Sequence, residues 1–435
     1  MKKAALLLLF IGGVAFLTLV LISFFPKYLA QLVLLAVFLA GDMALWLSVL
    51  GRVNKFRTVP RILLAVIYWL PAACLSVLVV TGFIYPFLSW DVALKSIMIS
   101  LLLTTIAAKA IPLAVSLLTR LTGLVLKRLF NTSSSWTRKA EMASWIAGGL
   151  LWLLLLLGMI TWVYDFKVNR VDFRSAGVPS GFDQFRIVQF SDVHLGNWTC
   201  RNKLKEAAGI INGLHPDLIV FTGDMFTFST AEGNGFGPIL KELRAKNGIC
   251  AILGNHDYGD YVSWENSRAK QMNMEALQAF YRDLGWTLLL NRSLIMKSGN
   301  DSINIIGVEN WGASRRFQRY GDITKAETGI NKNLFSILLS HDPSYWDSVI
   351  SRKHPEIELT LSGHTHGGQF GIEYGSLRWS ILSAINPLWG GIYNTFRNGS
   401  ASTLYVNRGL GTVGYSGRVG IRPEITLIVL HSAEK

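Results

Sequence analysis

The stretch LTLSGHTHGGQF, residues 359–370, sets two histidines one residue apart, behind an apolar run and ahead of a glycine pair. Alternate residues of a strand face the same way, so His364 and His366 would point together at one object beyond the strand's end. A metal ion would be such an object. Taken alone, the pair reads first as a polar turn with both rings in water.

The rest of the chain shifts that balance. From residue 165 onward the same phrase returns, an apolar run of strand length followed by Asp, His, Asn and Gly. The other instances are FRIVQFSDVHLG (185–196), PDLIVFTGDMF (216–226), GICAILGNHDYG (248–259) and FSILLSHDP (335–343). Near-continuous apolar strands imply burial on both faces, as in layered α/β domains. Helix-like segments, RNKLKEAAGIINGL (201–214) and NMEALQAFYRDLG (273–285), lie between several of them. In open α/β sheets ligands collect beyond the carboxyl ends of the strands. There the five clusters supply Asp192, His194, Asp224, Asn255, His256, His341, His364 and His366. Five of the 8 histidines fall in them; His215, His354 and His431 read as surface or structural residues.

The series DVH, GD, GNHD, H and GHTH resembles the calcineurin-like metallophosphoesterase superfamily over about residues 180–431. The closing LYVNRGLGTVGYSGRVGIRPEITLIVL (404–430) resembles its membrane-associated bacterial branch. The resemblance implies a four-layer α/β/β/α sandwich of two mixed sheets. It also implies two divalent metal ions: Asp192, His194 and His366 would hold the first, Asn255, His341 and His364 the second, and Asp224 would bridge them. His256 would lean over the phosphate as a catalytic group, oriented and kept charged by Asp257. Carboxylate, carboxamide and imidazole ligands without thiolate suit Mn²⁺, Fe²⁺ or Zn²⁺. A shared carboxylate would hold the ions about 3.5 to 4 Å apart, where they lower the pKa of a shared water so that hydroxide attacks phosphorus in line.

The first part of the chain has a different character. Apolar runs long enough to cross a bilayer lie at roughly 4–24, 29–51, 62–90, 96–119 and 144–164. The first follows Met1-Lys2-Lys3, but no small-residue cleavage site is evident and four more spans follow, so it reads as a retained anchor. The net charge of +14 belongs here: 16 Lys+Arg stand against 4 Asp+Glu up to residue 170, leaving 26 against 24 beyond it. The excess therefore points to membrane loops, and no nucleic-acid partner is expected. Arg52, Lys55, Arg57 and Arg61 lie between spans two and three; Arg120, Lys127, Arg128, Arg138 and Lys139 lie between spans four and five. The alternate loops hold only Lys27 and Lys95. By the positive-inside rule this is a multi-pass plasma (inner) membrane protein whose soluble domain is extracytoplasmic; Lys167, Arg170 and Arg174 after the last span pull the other way. Asp42 and Lys109 lie inside apolar runs, either as a pair lining a cavity or as a structural pair. Cys200 and Cys250 lack metal-type spacing and read as free thiols.

Three regions are expected: a five-helix transmembrane part (1–164), a linker with a first strand (165–184, the strand at 167–174) and a metallophosphoesterase domain (185–435). Two stretches bear on substrate. GASRRFQRY (312–320) carries Arg315, Arg316 and Arg319, which would grip an acidic headgroup or simply face water. LRWSILSAINPLWGGIYNTF (377–396) is unusually apolar; it would dip into the bilayer, cover an acyl chain or pack as a lid on the core. The expected function is a membrane-anchored phosphoesterase acting on a phosphodiester or pyrophosphate, with a lipid-linked or envelope substrate. The alternatives are a nucleotide or cyclic-nucleotide phosphodiesterase, and a transporter or sensor regulated by its phosphoesterase-like domain. The sequence leaves the oligomeric state open.

Overall fold

The computed structural model describes residues 2–24, 29–85, 90–130, 136–313, 318–375, 377–397 and 400–433. The chain divides into two compact units, Met1–Leu156 and Leu157–Lys435. The first contains α1 (Lys2–Phe24), α2 (Leu29–Val53), α3 (Thr58–Ile84), α4 (Val92–Phe130) and most of α5 (Trp136–Ile160). All five are long and apolar enough to cross a membrane. Pro71 and Pro112 lie inside α3 and α4. A Cβ at Gly148 would come within 2.5 Å of the Ala108 carbonyl, so α5 and α4 approach backbone to backbone there.

Asp42 and Lys109 meet. Lys109 Nζ donates to Asp42 Oδ2 at 2.7 Å and to the Tyr68 carbonyl at 3.1 Å, and it lies 3.9 Å from the centre of the Tyr68 ring. Tyr68 in turn donates its hydroxyl to the Asp42 carbonyl at 2.7 Å. The lysine is held by an anion, a carbonyl and a π face, which describes a structural tie joining α2, α3 and α4. Removing one partner of such a buried pair costs about 3 to 5 kcal/mol, because the other charge stays behind. Asp42→Leu or Lys109→Leu should each lower the thermal stability of the nanodisc-embedded protein, and the double replacement should recover most of the loss.

In the second unit, β1 (Lys167–Ser175), β2 (Arg186–Phe190), β3 (Leu218–Thr222), β4 (Ile249–Ile252) and β5 (Thr287–Leu288) join the last strand, β14 (Glu424–Ser432). They form one sheet in the order β1-β14-β2-β3-β4-β5. The second sheet runs β12-β13-β9-β8-β7-β6, from β6 (Arg292–Ser298), β7 (Asp301–Gly307), β8 (Ser336–Leu339), β9 (Leu359–Ser362), β12 (Gly391–Arg397) and β13 (Ser400–Val406). A separate hairpin pairs β10 (Gly371–Tyr374) with β11 (Leu377–Ser380). Both sheets are mixed: β2, β3 and β4 are mutually parallel, as are β7, β8 and β9, while β14 runs antiparallel to β2 and β6 to β7.

Period-two alternation builds the layers. Ile187, Leu218, Val220 and Ile252 of the first sheet meet Ile305, Ile337, Leu339 and Leu361 of the second in one buried cluster. The intervening Val188, Ile219 and Phe221 face outward, onto α6 (Arg201–Gly213) and α8 (Ser267–Leu284), with the single-turn α7 (Gly237–Leu240) beside them. Leu204, Ala207, Ala208 and Ile211 form the buried stripe of α6 at helical spacing. On the far side of the second sheet, Ile306, Leu338 and Leu404 are covered by short helical turns bearing Ile323, Ala326, Trp346 and Ile350. The result is an α/β/β/α sandwich. Burying each large aliphatic side chain contributes about 1.5 to 3 kcal/mol, which is why the strands read as unbroken apolar runs.

α8 begins six residues before the predicted Asn273. Asn266 caps it, accepting the Ala269 N–H at 2.9 Å, and Gly285 closes it in the left-handed region. Its first turns, SRAKQM, bury none of their residues, so they show no apolar periodicity. Cys74, Cys200 and Cys250 are free.

Candidate metal centre

The five polar clusters sit immediately beyond β2, β3, β4, β8 and β9, three from one sheet and two from the other, and the packing of the sheets brings them together. Asp192, His194, Asp224, His364 and His366 all have φ between +48° and +74°. For residues other than glycine such backbone costs about 1 to 3 kcal/mol each and marks places where function constrains the chain. Gly254 permits a close approach: a Cβ there would come within 2.2 Å of Asp224 Oδ1.

The donors lie in overlapping sets: Asp192, His194 and His366 come together, as do His194, Asp224 and His256, and Asp224, His341 and His364. His194 Nε2 lies 3.1 Å from His366 Nε2, and His366 Nε2 lies 3.5 Å from Asp192 Oδ1. Asp224 Oδ2 is 3.5 Å from His194 Nε2 and 3.2 Å from His341 Nε2, while its Oδ1 accepts the His256 N–H at 2.9 Å. Asn255 Oδ1 is 3.2 Å from His341 Nε2. All of these side chains are buried except His256 and His364, which are half-buried and form the open side.

The electrostatics suit a cation. Burial drives the His194 imidazole down to about 3 and holds His366 well below its usual value, so both imidazoles are neutral and offer a lone pair. Burial also pushes Asp192 up to about 7. Burial opposes ionisation of Asp224, yet the imidazoles of His341, His256 and His194 hold it well below the usual carboxylate range. Against its own burial, His341 is raised to about 10 chiefly by Asp224. A proton on His341 thus sits where a divalent ion would replace it. Two buried imidazole nitrogens facing each other at 3.1 Å beside a carboxylate, with His366 Nδ1 also lacking a hydrogen-bond partner among the described residues, make a donor set that fits metal binding.

A ring of further residues orients these side chains. The Thr222 carbonyl accepts from His341 Nδ1 at 2.7 Å. Thr227 serves two histidines, its hydroxyl 3.3 Å from His194 Nδ1 and its carbonyl 2.9 Å from His256 Nδ1. Glu232 fixes the Thr227 loop by accepting the N–H groups of Thr227 at 2.7 Å and Phe228 at 2.9 Å. Tyr261 stacks on His256 with ring centres 4.1 Å apart, and its hydroxyl accepts from Asn255 Nδ2 at 2.7 Å. Asp342 Oδ2 stands 3.7 Å from His364 Nε2. None of these stood out in the sequence; only Asp342, next to His341, carried a local signal.

Asp257 has a different role from the one expected. Its carboxylate accepts four backbone N–H groups, from Asp224, Met225, Phe226 and Gly254, at 2.9 to 3.1 Å. It therefore shapes the loops after β3 and β4, and His256 is oriented by the Thr227 carbonyl. Arg315 and Arg316 lie outside the described residues. Arg319 folds back on its own loop, donating to the Gly312 and Ala313 carbonyls and covering the Trp311 ring. His354 pairs with Glu327 and His431 with Asp172, in keeping with structural roles.

Because outer partners of ligating histidines typically affect metal affinity or activity 10- to 100-fold, Thr227→Val should lower metal-dependent phosphodiester hydrolysis by about that factor. Thermal stability should stay nearly unchanged, since shape and the main-chain carbonyl are kept; a matching loss of stability would point to loop packing instead.

The sequence profile of the calcineurin-like phosphoesterases matches residues 185–368. The chain is 34% identical over 269 residues to the uncharacterized metallophosphoesterase YkuE of Bacillus subtilis (strain 168), spanning 60% of this chain and 83% of that protein. It is 30% identical over 307 residues to the UDP-2,3-diacylglucosamine pyrophosphatase LpxG of Chlamydia trachomatis, spanning 59% and 89%. The transmembrane protein with metallophosphoesterase domain of Danio rerio is 28% identical over 286 residues, 65% of this chain and 61% of that protein. With its strand-end Asp, Asn and His clusters and its apolar helices, the chain belongs to the calcineurin-like phosphoesterases, as a membrane-associated hydrolase of phosphate esters.

Proposed function

We propose that the protein is a dinuclear metallophosphoesterase that cleaves a phosphodiester or pyrophosphate bond in a lipid-linked or envelope substrate. The observation that carries the dinuclear reading is the position of Asp224, whose Oδ2 lies 3.5 Å from His194 Nε2 on one side and 3.2 Å from His341 Nε2 on the other. Asp192, His194 and His366 would hold one divalent ion, Asn255, His341 and His364 the other, and Asp224 would face both. When bound, such ions neutralise phosphoryl oxygens and make hydroxide available at neutral pH. The chain's own part is to place the phosphate at the open side, between His256 and His364. Thr227 accepts from His256 Nδ1, which leaves Nε2 as the atom that would pass a proton to the leaving oxygen. Tyr261, stacked on the ring, limits its rotation.

Three observations support the lipid reading: the apolar helices, the apolar surface described below, and the name of the Chlamydia relative, which acts on a nucleotide-linked diacylated sugar. Full-length protein, stripped with chelator and reloaded with Mn²⁺, should hydrolyse bis-p-nitrophenyl phosphate and a UDP-linked diacylglucosamine while carrying about two ions per chain. Asp224→Asn should abolish turnover, and His256→Ala should lower kcat by about 10²- to 10⁴-fold. Undiminished turnover after chelation would sink the metal mechanism; a strong preference for soluble cyclic nucleotides would sink the lipid reading.

The basic loops support a cytoplasmic N-terminus, from which five spans would deliver the catalytic unit outside the cytoplasm. An alkaline phosphatase reporter fused after Asp165 should be active and a green fluorescent protein dark; the reverse pattern would overturn that orientation.

A further inference from the structure

The β10–β11 hairpin is built inside out. Cross-strand partners share a face, and the register pairs Ile372 with Trp379 and Tyr374 with Leu377. One face is thus wholly apolar or aromatic, and it is the exposed one: Tyr374 is 84% exposed and the other three between 45% and 58%. The other face, Glu373 with Arg378, turns toward the domain. Glu373 takes the guanidinium of the buried Arg408 at 2.6 Å, and Arg378 donates to the Gly390 carbonyl at 2.7 Å. The turn that follows extends the apolar surface with Ile381 at 57% and Ile385 at 81% exposure. A soluble surface would be arranged the other way round, and contiguous apolar exposure marks an interaction site.

The neighbouring chain identifies the occupant. The last turn of α5 belongs to the same compact unit as the hairpin. There the Gly158 carbonyl accepts the Arg418 N–H at 3.2 Å. The next residue, Val419, bonds through its carbonyl to the Gly371 N–H at 2.9 Å and through its N–H to the Gln369 carbonyl at 2.7 Å. Two residues of backbone therefore separate the exit of a membrane-spanning helix from the first residue of β10. Aromatic Tyr and Trp on an apolar face are the side chains that settle at the boundary between lipid tails and headgroups. The end of β11 is tied to the GHTH turn, where the buried Ser380 Oγ donates to the Gly367 carbonyl at 2.6 Å, next to His366.

We infer that the apolar face of Ile372, Tyr374, Leu377, Trp379, Ile381 and Ile385 is seated in the bilayer interface at the exit of α5, a second membrane contact made by the catalytic domain itself. It would hold the open side of the metal centre at the lipid surface. The inference concerns position, so it stands or falls separately from the identity of the substrate.

The test uses full-length protein, one copy per nanodisc of equal parts phosphatidylcholine and phosphatidylglycerol, in a Cys74→Ser, Cys200→Ser background. Nitroxides are attached at Tyr374→Cys, at Ile385→Cys and, as a water-facing control on α8, at Glu275→Cys. The expected result is that sites 374 and 385 relax with oxygen and are shielded from a water-soluble nickel chelate, while site 275 shows the reverse. Nickel access at 374 and 385 equal to that at 275 would overturn the inference, as would shielding from both reagents, which would mean cover by protein. A label-free measurement backs this up if a cysteine variant fails to fold. Brominated lipids should quench a tryptophan component that Trp379→Phe removes, and unchanged quenching in that variant would count against membrane seating.

Discussion

The centre depends on one buried carboxylate that stands outside the donor set and holds its loops by their backbone. Asp257 accepts the amides of Asp224, Met225, Phe226 and Gly254, and so ties the loop after β3 to the loop after β4. Several charge-assisted hydrogen bonds to one buried acceptor are worth more than the same number of neutral ones. Here they hold Asp224 in a left-handed conformation it would not adopt unaided. From that fixed position Asp224 faces His194 and His341, and its other oxygen takes the His256 amide. Loss of Asp257 would release Asp224 and His256 together.

A second constraint acts on the GHTH turn, from the loop between β13 and β14. Arg418 is fully buried, and its guanidinium donates to the carbonyls of His366, Arg408, Gly409 and Gly411. Carbonyl partners satisfy its hydrogen bonds without neutralising it, so its charge still acts on its surroundings. After burial and His194, it is the next factor holding His366 neutral. The arginine thus shapes the GHTH turn and also favours the uncharged form of a histidine that would have to offer a lone pair.

How much of this was legible follows from where each residue lies. Asp192, His194, Asp224, Asn255, His341, His364 and His366 were readable because each follows an apolar strand directly, and strand direction carries the side chain to the sheet edge with little further uncertainty. Thr227, Glu232 and Tyr261 were not, since they lie on loops whose path depends on contacts with other segments. Asp257 shows how adjacency misleads: next to His256 in sequence, its side chain turns to the backbone of another loop. The apolar stretch 377–396 was visible as composition, but composition cannot tell which way a hairpin faces. Only the β10–β11 register, with Glu373 and Arg378 turned inward, separates an exposed apolar surface from a lid packed on the core.

The same region explains why the end of α5 counts as part of the catalytic unit. Gly158 has no side chain, and a Cβ there would collide with the Arg418 carbonyl at 2.6 Å and the Tyr415 hydroxyl at 2.6 Å. The helix can therefore lie directly against the segment that carries Arg418. One backbone hydrogen bond joins Gly158 to Arg418, and one side-chain hydrogen bond joins Arg418 to His366. A flexible tether would need none of this, and would not require a glycine at the point of contact. The close fit makes the last turn of α5 a fixed support for the GHTH turn, within the unit that also holds the candidate site.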